Sequence, residues 1–458
     1  MLLRHTPKEI AERTALTINP AKTCQPVGAM YAALGIHRCL PHSHGSQGCC
    51  AYHRSALTRH YAEPIMASTS SFTEGASVFG GQANLLESII NIFTLYNPDI
   101  IAVNTTCLSE VIGDDISQII NKAAADNKIP PGKTVMYAST PSFKGSHVTG
   151  YANMLTAIIQ NFARNTGKKN NTITLLPSFI EPSDMSEIKH IAREMGVEYI
   201  MYPDTSGVVN APMDGKFYMY PKGGTTRERI ALSGDSRHAL ALGRTGTFQA
   251  AQLLDTKCKV KTTVLDLPIG ITATDAFVDT LRKTAGVTVP ETLRVERGQL
   301  VDVLCDKAQY LYEKKVSLMG DPDILLGLVQ FCLDAGMRIL HVVTGTPAGA
   351  KWERRIRELA GDGAVVKCGA QADLFYLHQL LQNDRPDLLF GNTYCKYIAR
   401  DMDIPLIRIA FPIYDRVGHS YIPITGYRGG LALLVKMLDR IMDRQDRDAP
   451  EEKFELVM

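Results

Sequence analysis

A chain of 458 residues with 45% apolar and 21% charged residues has an ordinary globular composition and is long enough for roughly two to four domains with full cores. Lys and Arg total 49 against 47 Asp and Glu, a formal charge of +2 without a long basic run, which argues against a nucleic-acid partner. Residues 1–23 lack an apolar core with a cleavage site, and no segment reaches about 18 consecutive apolar residues, so neither a secretory leader nor a membrane partner is expected and the cytoplasm is the expected compartment.

The ten cysteines then point to metal binding, redox chemistry or burial rather than to disulfides. Cys24 stands in KTCQPVGA, before Gln25-Pro26, where proline ends or redirects the chain. Cys49 stands in HGSQGCCAYHR, where Gly45 and Gly48 let the backbone approach a bulky inorganic group. DIIAVN at 99–104 reads as a short strand, NTTCLSEVIGDD with Cys107 as the loop after it, and Ile116, Ile119, Ile120 and Ala123 as a helix. TVMYA at 134–138 repeats the pattern: a loop with Ser142 in TPSFKGSHVTG, then a helix carrying Val148, Met154, Leu155, Ile158, Ile159 and Phe162.

TITLL at 172–176 opens a third unit, whose helix has Asp184 as its expected N-cap and Gly196 as its stop, before the strand VEYIMY. VSLM at 316–319, a helix from about Pro322 to Ala335, Gly336 and the strand RILHVV repeat the order near the C-terminus. Alternating strands and helices imply an α/β protein with parallel sheets and right-handed crossovers. One echo suggests a duplicated unit: Pro98-Asp99, an apolar run and Cys107 match Pro386-Asp387, an apolar run and Cys395.

Ligands of open parallel sheets collect beyond the carboxyl ends of the strands, which would bring Cys107 and Ser142 close together. Cys332, inside a helix, and Cys258, beside a strand, read as buried thiols. Cys39, His42, His44, Cys49 and Cys50, with His37 and His53 nearby, admit a zinc-binding α/β protein, although no paired knuckle spacing occurs. Cys107 activated by His147 would be a nucleophile. Asp302 and Asp306, four apart, share one helix face, either solvated or holding a cation.

TCQPxGA, HGSQGC, TTCxxExIGDD and TPSFxGSHVTG occur in that order and resemble the β-subunit family of the nitrogenase molybdenum-iron protein, particularly its clostridial type with a short N-terminus. The resemblance covers nearly the whole chain. It implies three Rossmann-like α/β domains at 23–170, 171–300 and 301–445, with an N-terminal arm at 1–22 and a tail at 446–458. It further implies that Cys24, Cys49 and Cys107 are thiolate ligands of the P-cluster, an 8Fe-7S cluster, with Cys49 bridging its halves and Ser142 added on oxidation. Soft thiolates suit iron-sulfur clusters, and three of them cannot complete an eight-iron site alone.

The companion α subunit, in an α2β2 heterotetramer, would supply three more cysteines and alone hold the iron-molybdenum cofactor. Tyr52 matches a position on the electron path towards that cofactor, and His53 replaces a phenylalanine of some relatives. Glu63, the Ala62 carbonyl, Asp302 and Asp306 match a mononuclear cation site, calcium or iron, at the contact between two β subunits. Phe79 and Ile112 match docking positions for a transient iron protein, to which ATP use would belong, since no GxxxxGK[ST] motif occurs here. The implied function is electron relay for reduction of dinitrogen to ammonia. The β-type subunits of vanadium or iron-only nitrogenases, cofactor-assembly scaffolds and dark-operative protochlorophyllide reductases share the architecture.

Overall fold

A computed structural model of the chain describes residues 3–11, 13 and 16–450; residues 451–458 of the expected tail lie outside the described residues. The first sheet contains β1 (Cys39–His44), β2 (Ser68–Thr69), β3 (Ile100–Thr105) and β4 (Thr134–Ala138), all parallel in the order β2-β1-β3-β4. The second contains β5 (Ile173–Pro177), β6 (Tyr199–Met201), β7 (His238–Leu242) and β8 (Thr262–Leu265) in the equivalent order β6-β5-β7-β8. The third contains β9 (Lys315–Met319), β10 (Arg338–Thr344), β11 (Val365–Cys368), β12 (Leu388–Gly391) and β13 (Leu406–Arg408), ordered β11-β10-β9-β12-β13. Order reverses beside the first strand of each sheet, the arrangement that opens a crevice at the strand ends.

Buried residues from all three sheets, among them Met136, Leu240 and Leu318, join one apolar cluster. The N-terminal arm is fastened to the third sheet's helices: Arg13 reaches both carboxylate oxygens of Asp373 at 2.9 Å, and Gln379 Nε2 donates to the Pro7 carbonyl at 3.1 Å. The last helix, Gly426–Asp448, returns to pack on the helices Pro182–Glu194, Gly270–Ala285 and Glu291–Asp306. Among the described residues, no helix is long and apolar enough to cross a membrane.

Two helices that frame the site touch backbone to backbone. A Cβ at Gly28 would lie 1.7 Å from the His147 carbonyl oxygen, and one at Gly150 would lie 1.9 Å from the Gln25 carbonyl oxygen. Only glycine at both positions lets the helices Gln25–Leu34 and His147–Phe162 cross this closely. One expected cap is corrected: the helix starts at Pro182 with Glu181 as its N-cap, and Asp184 lies inside its first turn. There the buried Asp184 carboxylate accepts from the N–H groups of Ile424 at 2.8 Å and Thr425 at 3.0 Å, a tertiary role that competes with local capping.

Candidate metal centre

Cys24, Cys49, Cys107 and Ser142 come from four separate stretches of the first sheet's domain and meet beyond the carboxyl ends of its strands. Cys24 is the N-cap of the helix Gln25–Leu34, with Pro26 in the first turn, where its missing N–H costs nothing. Cys49 lies in the first turn of the helix Gln47–Tyr61 after β1, and Cys107 opens the helix Cys107–Ile112 after β3, whose N-cap Thr106 makes a capping box with Ser109. Each sulfur therefore sits at a helix N-terminus, where the aligned peptide dipoles favour negative charge.

All three thiols are partly exposed. The Ser142 hydroxyl bonds to the Cys24 thiol, and Cys49 and Cys107 are close enough for their charges to act on it. Desolvation pushes the Cys24 thiol up, the Ser142 bond opposes this, neighbouring Cys107 and Cys49 raise it further, and Lys22 lowers it. The Cys49 thiol is likewise raised by desolvation and by Cys107, against a bond from Ser46. Cys24 and Cys49, each raised by neighbouring thiols, and Cys107 beside them fit a cationic group of soft metal ions, whose charge would allow sulfur to bind as thiolate.

Gly45 and Gly48 serve different purposes from the single one expected of them. Gly45 has φ +139° and a Cβ there would lie 1.8 Å from Thr106 Oγ1, so it permits contact between two protein segments. A Cβ on Gly48 would meet nothing nearer than Ser46 Oγ at 3.7 Å, so its space stays open.

The rim around the sulfurs is apolar and exposed. Tyr52, one turn after Cys49, is 53% exposed and lies near Cys24; Phe79 is 90% exposed, and Val78, Val111 and Phe143 are exposed too. Ile112 is half-buried at the end of the Cys107 helix. Asp114 joins these parts: it accepts from the Gly81 N–H at 3.0 Å and pairs with His44 Nε2 at 3.0 Å, holding the Phe79 segment against the loop after Ile112. Asp114 stands in the phrase NTTCLSEVIGDD, but its role in joining the Phe79 segment to this loop depends on the tertiary contacts with Gly81 and His44.

The zinc set does not assemble. His42 spends both ring nitrogens on Ser68 and Ser70 hydroxyls at 2.9 and 2.8 Å, and burial pushes it down to about 3. His44 is taken by Ser70 and Asp114, His37 by the Gly223 carbonyl, and Cys39 is buried with its thiol pushed up. Among the described residues, the groups gathered closely enough for an ion are His60, Glu181 and His419, and Glu187, His190 and Glu296. Both are engaged internally: His60 bridges the Ile413 N–H and Glu181, and Arg428 pairs with Glu187.

His147 is no base for Cys107. It is buried with Nδ1 facing the Thr23 N–H at 3.4 Å and Nε2 2.8 Å from Asp321, and it packs edge-on against Phe179 and at a tilt against Phe411. Glu63 follows Ala62, which ends the Gln47–Tyr61 helix in the left-handed conformation at φ 57°. Asp302 and Asp306 are exposed on the helix Glu291–Asp306. Among the described residues, Glu63, Asp302 and Asp306 do not form a group of ligand atoms within 4.8 Å of one another, so one copy of the chain does not assemble this set.

The family model of nitrogenase component 1 type oxidoreductases matches residues 24–442. The chain is 51% identical over 458 residues to the nitrogenase molybdenum-iron protein beta chain of Clostridium pasteurianum, covering 100% of both. It is 40% identical to the beta chain of Frankia alni, covering 97% of this chain and 86% of that one. A solved structure, nitrogenase Cp1 at pH 6.5, superposes with a TM-score of 0.97 at 51% identity over 100% of both chains.

Proposed function

Since the chain belongs to the nitrogenase component 1 family, as the β subunit of an oxidoreductase that is active only as a complex, we propose that Cys24, Cys49 and Cys107 are its share of the P-cluster. The observation that supports this most directly is the convergence of three partly exposed thiols and Ser142 at one sheet edge, inside an apolar rim that needs a covering partner. The α subunit of an α2β2 heterotetramer is that partner, supplying the remaining cysteines and holding the iron-molybdenum cofactor.

When bound, the 8Fe-7S cluster stores electrons between the iron protein and the cofactor that reduces dinitrogen. The chain's own residues then have separable tasks. The helix N-termini under Cys24, Cys49 and Cys107 would favour their thiolate forms as ligands, with Cys49 the one that would be shared between the cluster's halves. The Ser142 hydroxyl is hydrogen-bonded to Cys24, and on losing its proton it would be a harder oxygen donor for the cluster. Tyr52, beside Cys24 and exposed towards the partner, lies on the electron path. Phe79 and Ile112 form a docking edge for the transient iron protein. Glu63, the Ala62 carbonyl, Asp302 and Asp306 are hard oxygen donors that bind one calcium or iron ion between two β subunits in the cytoplasmic complex.

Elemental analysis of the complex purified anaerobically with its α partner tests the central assignment. Wild type is expected to carry cluster iron and sulfide, and Cys49→Ala to lose most of it. Full iron-sulfur absorption in Cys49→Ala overturns the assignment.

A further inference from the structure

Ser142 occupies the turn Pro141–Ser142–Phe143–Lys144, closed by a bond from the Lys144 N–H to the Pro141 carbonyl at 3.1 Å. Both ends of that turn are also held by one side chain from another element. Gln25 Nε2 donates to the Pro141 carbonyl at 2.9 Å and to the Lys144 carbonyl at 3.1 Å, so its two N–H bonds bracket the serine. Gln25 Oε1 accepts from Asn153 Nδ2 at 3.1 Å, and Asn153 also donates to the Ser139 carbonyl at 3.0 Å. At 4% exposure, with both donors and its acceptor engaged, this carboxamide has one orientation.

Gln25 directly follows Cys24, and the residues before Cys24 are tied to the same loop. Lys22 Nζ donates to the Gly145 carbonyl, and the Thr23 carbonyl accepts from the His147 N–H at 3.1 Å. The crossing of the two helices does not need the carboxamide, because Gly28 and Gly150 already set it through backbone contacts. What Gln25 adds is the register of the Ser142 turn relative to Cys24.

We propose that Gln25 is a positioning residue for Ser142: it holds the serine hydroxyl against Cys24, on the side where it would be available to the metal centre. The inference rests on the reading of Cys24, Cys49, Cys107 and Ser142 as cluster ligands. Ser142 would be the hard oxygen donor available to the cluster on this side, after loss of its hydroxyl proton. Displacement of the turn withdraws that donor without removing any thiolate.

The test uses the heterotetramer with Gln25→Glu, whose carboxylate repels both carbonyls, and with Gln25→Leu, compared with wild type and Ser142→Ala. Iron content and the spectrum of the reduced state are expected to match wild type. The midpoint potential of the oxidation and the spectrum of the oxidised state are expected to move towards those of Ser142→Ala. Wild-type potential and spectrum in both Gln25 variants, beside an altered Ser142→Ala, overturn the positioning role alone. Wild-type behaviour of Ser142→Ala itself overturns the ligand reading, and the inference with it. Where the Gln25 variants fail to assemble, Asn153→Leu frees Gln25 Oε1 and leaves its donors in place. A smaller shift in the same direction supports the proposal, and wild-type behaviour refutes it.

Discussion

Cys107 and Cys395 each follow a Pro-Asp pair and a buried strand, and each opens the helix after that strand. Their surroundings differ. The Cys395 sulfur is buried against Met319 Sδ at 3.7 Å, and burial pushes its thiol up to about 12, so it stays neutral and uncharged towards metals. Cys395→Ala is therefore expected to leave cluster iron at the wild-type level and to cost about 1–2 kcal/mol of stability, against loss of iron in Cys107→Ala. Paired iron analysis and thermal unfolding separate the two. Asp184 carries a second residue-scale prediction. Desolvation raises its carboxyl from 3.8 to about 6 although Ile424 and Thr425 N–H groups favour the charged form. A folded value above the unfolded one means the folded chain binds the extra proton, so this group's contribution grows as pH falls through about 6 towards 4. Asp184→Asn, already neutral, lacks that gain. The stability difference is expected to shift towards wild type between pH 7 and pH 5, and a difference independent of pH in matched melts would refute it.

Elements show where local sequence and packing agree or conflict. Strand β3 is a clear apolar run, whereas β1 reads CLPHSH and is nevertheless buried along its whole length. Its polar side chains are satisfied across the sheet: Ser43 Oγ donates to Asn104 Oδ1 at 3.1 Å, and His42 and His44 bond to Ser68 and Ser70. Periodicity could not reveal such a strand, because the partners lie on other segments. The loop after β7, Gly243-Arg244-Thr245-Gly246, looks like a phosphate cradle, but the N–H groups of Thr245 and Gly246 each donate to the buried Asp323 carboxylate at 2.8 Å. An internal anion fills that helix N-terminus, in agreement with the absence of a P-loop. The helix crossing at Gly28 and Gly150 gives the prediction for this scale. Gly150→Ala places a methyl group against the rigid Gln25 carbonyl, so the helices separate at a cost of about 1–3 kcal/mol. Lower thermal stability together with reduced cluster iron is the expected result, since Cys24 caps one of these helices.

For the whole molecule, three parallel sheets joined by one apolar cluster leave three partly exposed thiols and an apolar rim at the surface. Phe79, 90% exposed, gains little from the folded chain itself. Phe79→Ala is expected to keep its iron while weakening binding of the iron protein by about 1–2 kcal/mol, roughly tenfold; unchanged affinity in a binding titration would remove it from the docking edge. Asp302 and Asp306 are exposed and, among the described residues of one copy, do not gather with Glu63. Asp306→Asn is expected to lower the non-cluster cation content and to make the tetramer separate into αβ halves at higher protein concentration, as read by elemental analysis and sedimentation.

The sequence by itself determined the α/β alternation, the strands with apolar runs, and the four phrases containing Cys24, Cys49, Cys107 and Ser142, because turn residues, helix caps and apolar periodicity act over a few neighbours. Tertiary structure decided which cysteine is usable and which is core, why Asp184 is not a cap, how β1 satisfies its histidines, and how Gln25 ties the Ser142 turn to Cys24. Those outcomes depend on groups that can be more than a hundred residues apart, whose burial and hydrogen-bond partners exist only once the sheets have packed. The proposed half-site makes the same point at the largest scale: three cysteines can be read in one chain, but under the proposed function their coordination would be completed by a second.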